Sequence, residues 1–323
     1  MKVYGITMGD ASGIGPEVLL AAHCGGQLGL PLVAYGDMAA LEHYNRLLGY
    51  NVLLRVAAGP ADYRPGALNV IDAGILQTED VTPGALSRRA GYAAREYVVA
   101  ATRAALAGEI AAVVTLPMNK EATRLSDPAF TGHTELIGGL CGVEDVTIML
   151  VSPQLIVTHV STHCSLAEAI ARARRPRIQT ILRLTAEAVA RLRPNPRIAV
   201  AGLNPHAGEN GLFGDEETRE IRPAVEWARA QGWPVEGPFP PDTLFYMAVR
   251  RKQFDAVVCM YHDQGHIPLK LLDFEAGVNV ALGLPIVRTS VDHGTAFDIA
   301  GKGAASTASL VSALEMAEAL SRA

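Results

Sequence analysis

Short apolar segments typical of buried strands alternate with amphipathic helical segments along all 323 residues of the chain. One of them, Val257-Val258-Cys259-Met260, has no polar member, which is typical of a strand covered by helices on both faces. Alternation of this kind predicts a three-layer α/β/α protein. The predicted strands cover residues 3–8, 32–35, 52–56, 68–71, 111–115, 147–151, 155–159, 198–201 and 256–260. The predicted helices cover residues 17–22, 39–48, 87–107, 179–192 and 217–231.

The composition excludes several classes of protein. Hydrophobic residues make up 49% of the chain and charged residues 19%, which indicates a large apolar core. The net charge of −5 argues against a nucleic-acid partner. No apolar run reaches the ~18 residues that a membrane-spanning helix needs, and none resembles a signal peptide. The four cysteines form no C-x-x-C pair, so we expect reduced thiols in a cytoplasmic protein.

Five of the predicted strands are each followed by a polar loop. In layered α/β folds, ligands bind outside the carboxyl ends of the strands. These loops therefore form the predicted ligand-binding region. Their sequences are Gly9-Asp10-Ala11-Ser12-Gly13-Ile14-Gly15-Pro16-Glu17, Pro117-Met118-Asn119-Lys120-Glu121, Thr162-His163, Asn204-Pro205-His206-Ala207-Gly208-Glu209 and Tyr261-His262-Asp263.

Three of the nine histidines, His163, His206 and His262, occupy equivalent positions a few residues past a predicted strand. Neutral imidazole is a favoured ligand of Zn²⁺ and similar ions. Three protein ligands with an open coordination position characterise a catalytic metal rather than a structural one. The pattern favours a catalytic metal site; three hydrogen-bonded loop histidines are the structural alternative.

Two further motifs carry groups that bind anions. Gly132-His133-Thr134-Glu135 precedes a predicted helix near Leu136, and the free N–H groups at a helix N-terminus bind anions. Lys270 and Arg288 stand in apolar surroundings, where a cation needs an anionic partner, and Asn279 lies between them in the sequence. A Thr N-cap and salt bridges to protein carboxylates are the structural alternatives.

The glycine-rich segment near the end of the chain is His293-Gly294-Thr295-Ala296-Phe297-Asp298-Ile299-Ala300-Gly301-Lys302-Gly303. Glycines permit tight turns and close approach of the backbone to a ligand. The first strand is not followed by the G-x-G-x-x-G fingerprint, because the glycines of residues 9–15 are spaced differently. The sequence thus predicts a ligand loop, with a solvent-exposed turn as the alternative, and not an ordinary Rossmann enzyme.

Together these motifs resemble the 4-hydroxythreonine-4-phosphate dehydrogenase family of vitamin B6 (pyridoxine) biosynthesis. The matching strings are TMGDASGIGPE (7–17), TLPMNKEA (115–122), GHTE (132–135), THCSL (162–166), LNPHAGENGLFGDEE (203–217), PDTLF (241–245), YHDQG (261–265) and residues 278–303. That family is related to isocitrate and isopropylmalate dehydrogenases, which implies a two-lobed fold of the same type. We expect a nucleotide-side lobe of residues 1–110 plus 275–323, and a metal-binding and dimerisation lobe of residues 111–274.

The resemblance also implies the residues of the site. His163, His206 and His262 would bind one divalent ion (Zn, Mg, Mn or Co), with one histidine supplied by the partner subunit of a homodimer. The substrate-binding residues would be His133, Thr134, Lys270, Asn279 and Arg288. The cofactor NAD would contact Ile14, His293, Gly294, Thr295, Ala296 and Asp298.

The implied reaction is an oxidative decarboxylation. A hydride passes from the carbon that bears the 3-hydroxyl group to NAD⁺, and the resulting β-keto acid loses CO₂. Lys270 and Arg288 would hold the phosphate of a small phosphorylated hydroxy acid and so align the reacting carbon. Lys270, Asp242 and a hydroxide on the metal are the candidates for the base that takes the hydroxyl proton.

Some features resemble a second branch of the family, which oxidises 4-phospho-D-threonate and 4-phospho-D-erythronate in sugar-acid catabolism. Residues 264–268 and 298–303 carry this likeness, and we favour this branch slightly. A third relative oxidises the cis-dihydrodiol of terephthalate and lacks counterparts of GHTE and Arg288, so their presence favours a phosphorylated substrate. From other classes, a zinc-dependent hydrolase would need no nucleotide loop, and a phosphate sensor would bind its ligand without reducing NAD.

Overall fold

The computed structural model describes residues 1–273 and 277–322. Strands and helices alternate along the chain, as the sequence predicts. The strands are β1 (Tyr4–Thr7), β2 (Leu32–Gly36), β3 (Leu54–Val56), β4 (Leu68–Asp72), β5 (Val113–Thr115), β6 (Thr147–Val151), β7 (Ile156–His159), β8 (Ile198–Ala201), β9 (Val235–Phe239), β10 (Ala256–Cys259), β11 (Val278–Leu282) and β12 (Arg288–Val291). The helices are α1 (Gly15–Cys24), α2 (Met38–Leu48), α3 (Arg88–Leu106), α4 (Lys120–Arg124), α5 (His133–Cys141), α6 (Leu166–Arg172), α7 (Arg175–Leu192), α8 (Arg222–Ala230), α9 (Pro241–Val249), α10 (His262–Leu272) and α11 (Ala308–Ser321).

The chain divides into two compact units. Unit 1 comprises residues 1–144 and 284–322, and unit 2 comprises residues 145–283. Residues 111–144 therefore belong with the N-terminal part of the chain, because β5 pairs with β1. The second predicted boundary, between residues 274 and 275, lies outside the described residues. The functions assigned to the two lobes stay predictions.

Six parallel strands form the sheet of unit 1, in the order β3-β4-β2-β1-β5-β12. All four residues of β1 are buried, so both faces of the sheet are covered there. Helix α3 packs against β1, β2 and β5, and α11 packs against β5 and β12. Because β1, β5 and β12 are parallel neighbours, their carboxyl ends lie at the same edge of the sheet.

The sheet of unit 2 is mixed, in the order β11-β6-β7-β10-β8-β9. Neighbours among β11, β6 and β7 are antiparallel, whereas β7, β10, β8 and β9 run parallel. Leu244 of α9 and Leu269 of α10 are fully buried in the core of this unit. Burial of a leucine side chain stabilises the fold by about 1.5–3 kcal/mol, so these two contacts hold both helices against the sheet.

The structure also contains elements that the sequence did not predict, among them β9, β11, β12, α9 and α11. The predicted helix 217–231 is divided into a π-helical turn, Glu217–Ile221, followed by α8. Pro223 explains this, because proline lacks an N–H donor and clashes with the preceding helical turn, and a wider turn relieves both problems. Tyr261-His262-Asp263, predicted as a loop, instead contains the first residue of α10.

All four cysteines are free thiols. Among the helices of residues 1–273 and 277–322, none combines the length and apolar composition that crossing a membrane requires.

Candidate active site

Each unit brings some of the predicted polar loops together. In unit 1, the loops after β1 and β5 are neighbours because these strands are parallel and adjacent. In unit 2, the same holds for the loops after β7, β10 and β8. Of the predicted site residues, these loops carry Ile14 and the three histidines His163, His206 and His262. The predicted placement of polar residues at the carboxyl ends of strands is therefore confirmed within each unit.

His163 and His262 lie together in unit 2. Their ring centroids are 5.7 Å apart, and both line a surface cavity of about 540 Å³. His262 follows β10 directly, and its Nδ1–H donates to Asp263 Oδ1 at 2.6 Å. Since Nδ1 is engaged, Nε2 is the nitrogen left to bind a metal. Pairing of a ligand histidine with a carboxylate is a common feature of metal sites.

His206 lies in a strained turn after β8. All five residues 206–210 have positive φ angles, between 44° and 81°. Such angles cost about 1–2 kcal/mol for each non-glycine residue, and this kind of strain concentrates at functional sites. The carboxylate of Glu217 is buried and accepts the N–H groups of Leu203 and Asn204, both at 2.7 Å, which anchors the start of the turn.

The described part of one chain does not assemble the complete predicted metal site. The ring of His206 lies 6.0 Å from that of Phe213, and residues 1–273 and 277–322 contain no group of three or more His, Cys, Asp or Glu side chains arranged to hold a metal. The two imidazoles of His163 and His262 fit a divalent ion as two of its ligands. A third ligand from a partner subunit stays a prediction.

The predicted anion-binding residues of unit 1 meet at the start of α5. Arg288 is buried, and its guanidinium donates to Thr115 Oγ1 at 2.6 Å. Burial lowers the pKa of Arg288 to about 10, against the opposing effect of Glu135. Its Nε atom is buried and meets no hydrogen-bond partner among the described residues. A buried donor without a partner is costly, so this group is suited to an anionic ligand.

His133 opens α5 and contributes a neutral imidazole. Burial, together with the charges of Arg288 and Lys120, lowers its pKa to about 3. Its Nε2 atom is buried without a hydrogen-bond partner in the part of the chain that the structure describes. Thr134 is the next residue of the helix, where backbone N–H groups are free to bind an anion. The helix start and both side chains thus converge on one kind of ligand.

Lys270, Asn279 and Asp242 belong to unit 2. Lys270 lies in the last turn of α10, eight residues after His262 and so about 12 Å further along the helix axis. Asn279 lies within β11, and its Oδ1 atom is buried without a partner among the described residues. Asp242 lies in the first turn of α9 and is exposed. Their roles in binding and proton transfer stay predictions.

The predicted nucleotide loop of unit 1 is attached to the start of α1. The N–H of Ile14 donates to the carbonyl of Thr295 at 3.0 Å. Gly13 permits this approach, since a Cβ atom there would lie 2.9 Å from Thr295 Cβ. His293 donates from Nδ1 to the Gly294 carbonyl at 3.1 Å, and Ala296 adopts a positive φ of 42°.

Glu17 holds the far end of this loop. Its fully buried carboxylate accepts the N–H groups of Gly301 and Ala305, each at 3.0 Å. The family resemblance includes Glu17 in the string TMGDASGIGPE and Glu217 in the string LNPHAGENGLFGDEE, but it implies no role for either residue. The only sequence signal for either residue is a carboxylate beside a ligand loop, which is too common to indicate such a contact.

Known proteins resemble this chain over nearly its full length. The sequence profile of the family described as Pyridoxal phosphate biosynthetic protein PdxA matches residues 28–317. A D-threonate 4-phosphate dehydrogenase from Cupriavidus necator is 48% identical over 320 residues, which cover 97% of this chain and 96% of that protein. A 4-hydroxythreonine-4-phosphate dehydrogenase from Desulfosudis oleivorans is 46% identical over 323 residues, which cover 98% and 95%.

Solved structures agree with this result. The crystal structure of a 4-hydroxythreonine-4-phosphate dehydrogenase from Klebsiella pneumoniae has a TM-score of 0.87 at 43% identity and covers 99% of this chain and 100% of that chain. An isocitrate dehydrogenase from Methylococcus capsulatus shares the fold alone, with a TM-score of 0.51 at 14% identity, and covers 98% and 85%. The predicted fold class is confirmed, and the chain belongs to the family of the pyridoxal phosphate biosynthetic protein PdxA, which includes the 4-hydroxythreonine-4-phosphate dehydrogenases.

Proposed function

We propose that this protein is an oxidoreductase that oxidises a small 4-phosphorylated 3-hydroxy acid. Relatives at 48% and 46% identity are named dehydrogenases of 4-phosphate compounds, which supports this class of reaction. The observation that carries the proposal is the buried guanidinium of Arg288, whose Nε atom has no hydrogen-bond partner within residues 1–273 and 277–322. A phosphate supplies the anion that such a buried cation needs.

The phosphate is held by the start of α5 and by Arg288. The guanidinium of Arg288 contributes charge, and the buried Nε2 atom of His133, which has no partner among the described residues, is available for a hydrogen bond to the phosphate. Thr134 and the free N–H groups of the first turn add further donors. Lys270 and Asn279 bind the remaining polar groups of the substrate, where the free Oδ1 atom of Asn279 accepts a hydroxyl proton in a hydrogen bond.

The reaction also requires a hydride acceptor and an electrophile. NAD, when bound at the loop 293–298, supplies the acceptor, and a divalent ion, when bound by His163, His206 and His262, supplies a Lewis acid for the reacting oxygen. Lys270 or Asp242 takes the proton from the substrate hydroxyl, and loss of CO₂ follows oxidation.

The active enzyme is a homodimer in this proposal. Several large apolar side chains of unit 2 are exposed, among them Leu271 at 85%, Leu212 at 72% and Ile267 at 62%. Exposed apolar surface near polar ligand loops often marks a subunit interface. A partner subunit covering this surface also provides a source for the third metal ligand.

The experiment is NADH formation by the purified protein with a divalent metal. The substrates to compare are 4-phosphohydroxy-L-threonine, 4-phospho-D-threonate and 4-phospho-D-erythronate. We favour the two sugar acids slightly, because residues 264–268 and 298–303 resemble that branch; relatives carrying either name are similarly close to this chain. A preference for the amino acid instead indicates vitamin B6 synthesis, and no NADH from any of the three compounds refutes the proposed substrate class.

Two controls separate this function from its alternatives. Changing His206 to Ala should remove both metal binding and turnover, and normal activity in metal-free buffer would show that the three histidines are not a catalytic metal site. Changing Asp298 to Ala should weaken NAD binding. Loss of NAD binding in this variant would speak against a hydrolase, whereas a wild-type protein that binds no NAD and hydrolyses a phosphorylated ester would favour one.

A further inference from the structure

A second histidine is stacked on the predicted metal ligand His262. The rings of His262 and His266 have centroids 3.6 Å apart and planes only 11° apart. The two residues are four positions apart on α10, so their side chains lie on the same helix face. His266 also meets the ring of His159, with centroids 4.7 Å apart and planes tilted by 39°. The three imidazoles therefore form one cluster, in which His262 and His266 are the stacked pair.

His159, the inner member of this cluster, is fixed in the core of unit 2. His159 is the last residue of β7 and is completely buried. Gly265 of α10 allows this packing, because a Cβ atom there would lie 2.5 Å from His159 Nε2. Glycine inside a helix costs about 1 kcal/mol relative to alanine. The helix thus carries an unfavourable residue at a position where a side chain would displace the His159 ring.

We propose that His266 is a positioning residue that fixes the ring of the metal ligand His262 by stacking against it. The inference rests on the proposed function, since it assumes that His262 binds the metal. His266 donates its Nδ1–H to the carbonyl of His262 at 3.0 Å, which orients its own ring. Asp263 accepts from Nδ1 of His262, and His266 covers one face of that ring.

These two contacts restrict the rotation of the His262 ring about both of its side-chain torsions. A ligand ring that is already oriented loses less conformational freedom when it binds an ion. The stack therefore raises metal affinity without His266 touching the metal. If His266 itself bound the metal, phenylalanine could not replace it, because a phenyl ring has no nitrogen atom to bind the ion.

The test compares three substitutions of His266 in the full-length protein. H266F keeps a flat ring that can stack, H266L fills a similar volume without one, and H266A removes the side chain. Apo protein is prepared with a chelator, and the Kd of Co²⁺ is measured by competition with a coloured chelator. We expect H266A and H266L to weaken Co²⁺ binding by about 10- to 100-fold, the usual effect of losing a residue that supports a ligand, and H266F to keep most of the affinity.

Two results would overturn this inference. One is a wild-type Kd in H266A and H266L, and the other is an equal loss of affinity in H266F and H266A. H266F and H266L report on stacking even if H266A fails to fold, and a melting temperature for each variant identifies such a failure. The variants H163A and H262A test the proposed function separately: if both bind Co²⁺ like the wild type, the metal assignment fails, whereas loss of binding in H262A with none in H266L refutes only the role of His266.

Discussion

Glu17 connects α1 to the loop that we propose binds NAD, and its substitution by Gln should weaken cofactor binding. The buried carboxylate accepts two backbone N–H groups, from Gly301 and Ala305, each at 3.0 Å. In E17Q only one oxygen remains to accept, so one buried N–H loses its partner at a cost of about 1–3 kcal/mol. Since about 1.4 kcal/mol equals a factor of ten, the Kd of NAD should rise by about 5- to 150-fold if the whole cost falls on the ordered loop.

The assay is titration of the purified full-length protein with NADH, together with kinetics at varied NAD. We expect KM for NAD to rise far more than kcat falls, because the loop can still be ordered by saturating cofactor. E42Q is the matched control: Glu42 is half exposed in α2 and pairs with Arg46 at 3.8 Å, a surface contact worth under about 1 kcal/mol. A folded E17Q protein with the Kd of wild type would refute the reasoning.

Three further changes test other parts of the structure. R288M should raise KM for the phosphorylated substrate by about 10- to 100-fold, because a charged hydrogen bond worth about 1.5–3 kcal/mol is lost. An unchanged KM in steady-state kinetics would show that Arg288 does not hold the phosphate. Burial raises the pKa of the Asp10 carboxyl group from 3.8 to about 6, so the folded protein holds the carboxyl proton more tightly than the unfolded chain does. The stability contributed by the protonated form is therefore lost as the pH rises from about 4 to 6. In D10N the free energy of unfolding should not show this loss, which amounts to about 3 kcal/mol over the whole range and about 1.4 kcal/mol between pH 5 and pH 7.5. Urea unfolding at these two pH values checks it, and parallel pH curves for D10N and wild type would contradict it. L271D should convert the proposed dimer to monomers and abolish activity, since a charge replaces a side chain that is 85% exposed in one chain. L47D in unit 1, at a leucine 52% exposed, should leave the assembly intact, and light scattering distinguishes the two results.

The strands were the most predictable part of the fold. β6 and β8 have the bounds that the sequence predicts, because strands covered on both faces appear as nearly continuous apolar runs. Helix α10 was not predicted, because its sequence is unfavourable for a helix. It contains Gly265 and Pro268, both unfavourable inside a helix, and packing against the sheet outweighs their local preferences.

The site was predictable in position but not in its supporting contacts. Polar residues at strand ends and the family resemblance identified His163, His262 and Arg288, and the structure brings the first two together around one cavity. The contact of Glu17 with Gly301 joins residues 284 positions apart, and no periodicity in a sequence indicates such a pair. The same holds for the packing of His159 against α10, which depends on the pairing of β7 with β10.

The insertion of unit 2 between two segments of unit 1 has a consequence for synthesis on the ribosome. Thr115 of β5 and Arg288 of β12 are 173 residues apart, although they are bonded in the finished sheet. At about 5–20 residues per second, translation needs about 9–35 s to deliver β12 after β5. During that interval unit 2 emerges complete, whereas β5 presents an unpaired edge that is open to aggregation. We expect a chain truncated after residue 283 to contain a protease-resistant unit 2 beside a protease-sensitive unit 1, and equal resistance of both would contradict this order. Nascent chains of this protein therefore depend most on chaperones while their second unit is already folded.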